Sequence, residues 1–152
     1  MTKKLKHKIK SLETYKDIKQ NNLDNKVVCL SESKKNVALA LKKLDDLKAY
    51  YKKITLEEAT ETVVIFHQLK NSLILSTHDK IIQSKLDLVR LNRCFTHALN
   101  EWRKAYSECK AIESVIKSKT LEMKTLEDKK EATENDEIGQ ILFELRKHER
   151  VN

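Results

Sequence analysis

The sequence predicts an all-α protein, a long two-helix antiparallel coiled-coil hairpin with the second helix overhanging the first. Three observations predict this fold. The 152 residues include no proline and one glycine, Gly139, so the chain almost lacks the residues that tight turns need. Charged residues make up 36% and aromatic residues 5%, which is typical of helices with narrow apolar seams and wide solvated faces. Apolar residues also recur at seven-residue spacing, the pattern of coiled-coil helices.

The first helix is predicted over about residues 3–52, where the heptad series is the weaker of two. One series runs through Ile9, Lys16, Leu23, Leu30, Val37, Leu44 and Tyr51. Its companion runs through Leu5, Leu12, Lys19, Lys26, Ser33, Ala40, Leu47 and Ile54. This seam is apolar at both ends and interrupted by polar residues in its middle, so it predicts a coiled-coil helix with a weak centre.

A bend is predicted at about residues 53–56. Thr55 and Glu58 have the spacing of a capping box, in which each side chain bonds a free backbone N–H at the start of a helix. Lys52 and Lys53 suit the C-terminal end of the preceding helix. Because neither glycine nor proline interrupts this stretch, a single unbroken helix remains the alternative.

The second helix is predicted over about residues 56–134 and carries the stronger seam. Eight apolar residues stand at strict heptad spacing: Ile74, Ile81, Leu88, Phe95, Trp102, Cys109, Ile116 and Met123. Folding the chain about residue 54 would place residue 5 beside residue 103, which leaves the second helix without a partner from about Lys104 onward. Its apolar residues there would form an exposed stripe that needs a binding partner.

The first 135 residues are therefore predicted to form the hairpin, and residues 136–152 a short helix or a flexible tail. If helical, this last segment would place Ile138, Leu142 and Leu145 on one face.

The positive charge is confined to the first third of the chain. The net charge is +8, yet residues 1–53 alone hold 15 lysines against six acidic residues, which gives +9. Such a segment attracts an acidic protein surface, a nucleic acid or an anionic membrane. Since it contains no arginine, bidentate recognition of guanine or phosphate is not available to it, and nucleic acid is the least favoured of these partners.

The sequence predicts no catalytic residues, no cofactor and no metal site. A single glycine excludes the P-loop, the dinucleotide-binding loop and the nucleophile elbow, each of which needs several glycines. Cys94 and His97 have the spacing of half a metal site, but no second pair follows at ligand spacing. Three cysteines without a CxxC pair, no apolar leader and no long apolar run lead us to expect a soluble, cytoplasmic protein.

The order of a shorter helix, a bend and a longer helix resembles the flagellar export protein FliJ and its counterparts in type III secretion injectisomes, the YscO and SpaM (InvI) group. Three segments carry the likeness: 41–51 before the predicted bend (LKKLDDLKAYY), 66–73 after it (FHQLKNSL) and 102–116 further along (WRKAYSECKAIESVI). Together the likeness extends over most of residues 5–135.

This resemblance implies a non-enzymatic central stalk at the cytoplasmic face of an inner-membrane export apparatus, similar to the γ subunit of rotary ATPases. The end that bears both termini would insert into a hexameric secretion ATPase, and the bend would face the cytosolic domain of the export gate protein. Some members of the family also bind secretion chaperones, which are therefore a further class of partner.

Two sets of binding residues follow from the resemblance together with the heptad seam. Carried over by position, the gate-facing residues would be Leu44, Leu47, Tyr51, Phe66, Leu69 and Leu73. The ATPase-binding residues at the termini end would be Lys3, Lys4, Lys6, Lys8, Lys10, Cys109, Ile112, Ile116, Met123 and Leu126.

Other functions are compatible with the same pattern. One is a homodimeric scaffold, in which the overhangs of two chains pair with each other, and another is a protein that escorts secretion chaperones. A third is a basic binder of nucleic acid or membrane surfaces that acts through residues 1–53. The stalk interpretation differs from these because it predicts a monomer in isolation that binds no nucleic acid.

Overall fold

The computed structural model describes residues 2–56 and 64–151, which form two helices. Helix α1 spans Thr2–Leu56 and helix α2 spans Val64–Val151. The described residues include no strand and no residue with a positive φ. The two helices pack against each other along a heptad seam, so the predicted all-α hairpin is confirmed. Each of the two compact units of the chain contains part of both helices.

The first unit, Leu23–Ala105, holds the central part of the seam. Lys26 Nζ lies 3.5 Å from Glu101 Oε2, and the rings of Tyr51 and His78 are 6.2 Å apart. A step forward along α1 therefore corresponds to a step backward along α2, which makes the pair antiparallel. Its buried residues occupy heptad positions: Leu44, Ile54, Thr77, Ile81, Ser84 and Ala105. The Thr77 hydroxyl donates to the Leu73 carbonyl at 2.8 Å, so this polar group is satisfied although it is buried.

The second unit, Met1–Asn22 with Tyr106–Asn152, has the same antiparallel arrangement. Lys6 Nζ lies 3.8 Å from Glu127 Oε1, and Lys19 Nζ lies 3.1 Å from Glu108 Oε2. Leu5 and Ile9 of α1 are buried, as is Cys109 of α2. The remaining predicted seam residues of α2 in this unit are half-buried: Ile112, Ile116, Met123 and Leu126.

The predicted start of the overhang was wrong. With Lys6 beside Glu127, residues at the start of α1 face residues near 127 of α2 rather than residue 103. The apolar stripe from Cys109 to Leu126 is therefore covered by α1 and is not exposed. Since α1 continues past residue 52, where it was predicted to end, its start faces a later part of α2.

The chain does not bend at residues 53–56, because α1 continues through all four of them. Thr55 does not cap a new helix: its hydroxyl donates to the carbonyls of Tyr51 and Lys52, at 2.9 and 3.0 Å. This is the bond that a threonine makes inside a helix. Ile54 is buried, which extends the seam past the predicted bend. Glu58, the other half of the predicted capping box, lies outside the described residues.

Helix α2 also continues beyond the predicted boundary at residue 135. Its residues from 136 to 151 belong to the same unbroken helix rather than to a separate short one. Every residue from 128 to 150 is exposed. We call residues 128–150 the extension; at about 1.5 Å per residue it is roughly 35 Å long.

Candidate interaction surfaces

The extension presents a row of aliphatic side chains to solvent. Ile138, Ile141, Leu142 and Leu145 are each more than half exposed. Their spacing of i, i+3, i+4 and i+7 places all four on one face of the helix. We call this row the aliphatic stripe. Since exposed apolar residues grouped on one face are typical of protein-binding sites, it is the first candidate surface.

Acidic residues continue the aliphatic stripe at both of its ends. Glu134 lies seven residues before Ile141, and Glu149 lies seven residues after Leu142, so both share the face of the stripe. Both are exposed. A partner for this face therefore needs an apolar centre, and its rim must tolerate or neutralise negative charge.

The lysine cluster at the start of α1 is the second candidate surface and belongs to the same unit as the extension. All five lysines that the sequence singled out (Lys3, Lys4, Lys6, Lys8 and Lys10) are exposed. Lys6 forms an ion pair with Glu127, the residue just before the extension. An acidic partner is attracted to this cluster by a Coulomb interaction that salt screens.

The apolar residues predicted to bind the ATPase lie in the seam with α1 and not on an exposed face of α2. Cys109 is 2% exposed, and Ile112, Ile116, Met123 and Leu126 are half-buried against α1. The stripe that is exposed lies further along α2. The sequence pattern places three of its residues on one face, but it predicts a short helix or a tail for residues 136–152 and does not show that the segment is the exposed end of α2.

The six residues predicted to face the export gate are divided between core and surface. Leu44 is 5% exposed, and Leu47 and Tyr51 are half-buried. Phe66, Leu69 and Leu73 are exposed and stand at i, i+3 and i+7 on one face of α2. The exposed part of the predicted gate surface is therefore a row on α2 alone, which we call the gate row.

Two ion pairs account for the polar centre of the α1 seam. In one unit Lys19 donates to Glu108 at 3.1 Å, and in the other Lys26 lies 3.5 Å from Glu101. The bond to Glu108, followed by one to Tyr15, raises the pKa of Lys19 above its usual 10.5. In the heptad pattern these lysines are visible only as polar interruptions. A sequence signal for the pairing does exist: the two lysines stand seven residues apart on α1, and the two glutamates stand seven residues apart on α2.

A shallow groove in the unit Leu23–Ala105 brings Cys29 of α1 near Cys94 and His97 of α2. Both cysteines are exposed free thiols. Across residues 2–56 and 64–150, no three His, Cys, Asp or Glu side chains are grouped so that they could hold a metal ion.

Neither described helix contains an apolar stretch that could cross a membrane. In comparisons with known proteins, no curated protein matches the chain. The model of one family does match, over residues 7–148, and its description is "Flagellar FliJ protein". The match includes the paired helices and nearly all of the extension. The chain therefore belongs to the FliJ family and is a stalk-type protein of flagellar or type III export.

Proposed function

We propose that this protein is the non-enzymatic central stalk of a type III export apparatus at the cytoplasmic face of the inner membrane. It inserts the extension of α2 into the pore of the hexameric secretion ATPase and links that ATPase to the export gate. The observation that supports this most is the aliphatic stripe: four exposed aliphatic residues at the far end of α2, in a chain of the FliJ family.

The energetics of the aliphatic stripe favour a tightly fitting partner. Moving a leucine or isoleucine side chain from water into a packed interface contributes about 1.5–3 kcal/mol before the costs of association are subtracted. Four such residues form a row that suits a narrow apolar pore. The lysine cluster belongs to the same unit, so one partner could bind both surfaces if its acidic groups face the lysines and not the glutamates that flank the stripe.

Coupling to the ATPase then follows from symmetry. A single rod inside a ring of identical subunits cannot make the same contacts with all of them. Subunits that the rod contacts differently have different conformational equilibria, because binding shifts the population toward the better-bound state. The stalk could therefore favour nucleotide turnover in successive subunits without performing any chemistry itself.

The gate end of the stalk is assigned to the gate row. Phe66, Leu69 and Leu73 supply an exposed aromatic and aliphatic face at the start of the described part of α2. The buried Leu44 is assigned to the core of the hairpin instead. Secretion chaperones remain a further class of partner by family analogy, without assigned residues.

The charges on the extension favour a monomer over the homodimeric scaffold. Glu134 and Glu149 are equally far from the centre of the aliphatic stripe. In an antiparallel pairing of two extensions, Glu134 of one copy would therefore face Glu149 of the other. A parallel pairing would place Glu134 opposite Glu134 of the other copy, and Glu149 opposite Glu149. Either arrangement opposes like charges and weakens self-association.

The test is ATP hydrolysis by the cognate secretion ATPase with added wild-type protein, Leu142→Glu or Leu121→Glu. Leu142 lies in the aliphatic stripe, whereas Leu121 is a leucine on the paired part of α2 that is also more than half exposed, so the two variants carry the same chemical change. We expect wild-type and Leu121→Glu to stimulate turnover alike. For Leu142→Glu, the concentration that gives half-maximal stimulation should rise about tenfold or more, because the variant loses an apolar anchor.

Sedimentation of the same samples completes the test. A monomeric wild-type protein that stimulates the ATPase supports the proposal. A wild-type protein that leaves both turnover and hexamer formation unchanged contradicts it. A stable dimer that Leu142→Glu dissociates would assign the aliphatic stripe to self-association instead.

A further inference from the structure

The extension has a second face with different chemistry. Phe143, Arg146, Lys147 and Arg150 are all exposed and border a shallow groove of about 290 Å³. Their spacing of i, i+3, i+4 and i+7 places them on one side of the helix. We call this the cationic face. It combines three positive charges with Phe143, the one phenylalanine, tyrosine or tryptophan among residues 128–150.

The cationic face points away from the aliphatic stripe. With 3.6 residues per turn, each residue turns the helix by about 100°, so the centres of the two faces are roughly 140° apart around the axis. A rod with these faces on nearly opposite sides presents apolar groups in one direction and positive charge in the other. Within a ring, different subunits would therefore meet different chemistry at the same moment.

The single glycine of the chain lies on the cationic side. Gly139 precedes Phe143 by four residues and Arg146 by seven, so it continues their row along the helix. Its φ is not positive, and a Cβ built there would meet no other atom within 4 Å. The fold therefore gives no reason for a glycine, a residue that is unfavourable inside a helix. A partner surface that approaches closely beside Phe143 would give one.

We propose that the cationic face docks against a carboxylate-rich surface on the inner wall of the secretion ATPase ring, opposite the subunits that receive the aliphatic stripe. This inference rests on the proposed function and names the chemistry of that same site. Arg146 and Arg150 can each bind a carboxylate in a bidentate manner, and Lys147 adds a third charge. Gly139 lets the partner's backbone approach the helix beside Phe143.

The charge of the whole extension favours an acidic protein surface over nucleic acid. Residues 128–150 hold seven acidic and five basic residues, a net charge of −2. A long polyanion would meet this net repulsion along the extension, whereas a small carboxylate patch meets only the local positive charge. The cationic face therefore suits a confined acidic site rather than an extended phosphate backbone.

The first experiment measures binding of the full-length protein to the cognate secretion ATPase for two matched double variants. Arg146→Glu/Arg150→Glu reverses two charges on the cationic face. Lys117→Glu/Lys124→Glu makes the same net change at two exposed positions on the paired part of α2. We expect the first variant to bind about tenfold more weakly, with a shallower dependence on salt, and the second to change Kd by less than about twofold.

The second experiment uses Gly139→Ala, which adds one methyl group where the helix has open space. Circular dichroism should report unchanged or slightly higher helix content, because alanine is the better helix former. Binding to the ATPase should nevertheless weaken several-fold if the partner approaches closely there.

The outcomes separate this inference from the proposed function. A wild-type protein that does not bind the ATPase overturns both. If wild-type binds but Arg146→Glu/Arg150→Glu and Gly139→Ala bind equally well, the inference fails and the proposed function stands. If the double reversal abolishes binding to an added RNA and leaves ATPase binding unchanged, the cationic face is a nucleic-acid site and the inference is again wrong.

Discussion

At the scale of single residues, the lysines within the α1 seam illustrate how a long side chain can occupy a core position. Lys19 is half-buried, and its ammonium group reaches the edge of the seam to bond Glu108. Its hydrocarbon stem can cover apolar neighbours while its charge stays near water. Such polar seam residues are known to fix helix register at a cost in stability.

The Lys19–Glu108 pair predicts a pH dependence of stability. The pKa of Lys19 is raised in the folded protein, because the charged ammonium group bonds Glu108. The pair's contribution to the free energy of unfolding is therefore complete below pH 10.5 and disappears as the pH rises through the folded-state pKa of Lys19. The urea concentration at the unfolding midpoint should be higher for wild-type than for Lys19→Met, by a constant amount up to about pH 10. Above that pH the difference should shrink, because Lys19 of the folded protein loses its proton.

The control for this measurement is Lys117→Met, an exposed lysine on the outer side of α2. The difference in urea midpoint between Lys117→Met and wild-type should stay small and change little with pH. A Lys19→Met difference that persists unchanged well above pH 11 would contradict the role of the charged pair.

At the scale of helices and their contacts, the α2 seam could be predicted and the bend could not. Eight apolar residues at strict heptad spacing can occupy only one face of a helix, so Ile81 and Cys109 are buried as that pattern requires. A threonine followed by a glutamate at i+3 is ambiguous, because the same pair occurs inside helices. Thr55 bonds backward within α1, and nothing local to it reveals where α1 ends.

That ambiguity changed the assignment of the exposed surface. Whether Cys109 or Leu142 reaches solvent depends on which residues of α2 the start of α1 covers, and this is set by the position of the bend. The sequence of α2 shows that both segments have apolar residues, but it does not show which of them has a partner in the same chain.

Thiol labelling tests whether α1 covers residues 104–126 of α2. Cys29 and Cys94 are exposed, whereas Cys109 is 2% exposed. A thiol reagent under native conditions should modify two cysteines quickly and the third at least about tenfold more slowly, because Cys109 reacts only when the helices separate. In concentrated urea all three should react at similar rates.

A variant with Cys29→Ser and Cys94→Ser isolates the slow thiol. If Cys109 of this folded variant reacted as fast as an exposed cysteine, residues 104–126 would be bare and the arrangement of the two helices described above would be wrong.

At the scale of the whole molecule, α2 carries exposed apolar residues in both compact units, the gate row in one and the aliphatic stripe in the other. The gate row lies near the beginning of α2, and the extension lies at its other end. Between them α2 is paired with α1 and presents its heptad residues to the partner helix. A family match over residues 7–148 spans both kinds of surface.

The binding surface on the extension could not be predicted from the sequence. Composition excluded the glycine-rich catalytic loops, and the resemblance indicated the export apparatus. The surface that we propose for ATPase binding could not be located, because residues 136–152 follow a polar stretch and were expected to form a short helix or a tail. Only the helix that continues through them turns Ile141, Phe143 and Arg146 into two opposed faces.

Site-specific photo-crosslinking tests the central claim, that the secretion ATPase binds the exposed end of α2 and not its paired part. A benzophenone side chain would be placed in turn at positions 116, 121, 141 and 142 of the full-length protein mixed with its cognate ATPase. We expect crosslinks to the ATPase from positions 141 and 142 and none from 116 and 121. Crosslinks from position 116 without any from 141 or 142 would contradict it, because the ATPase would then bind the part of α2 that α1 covers.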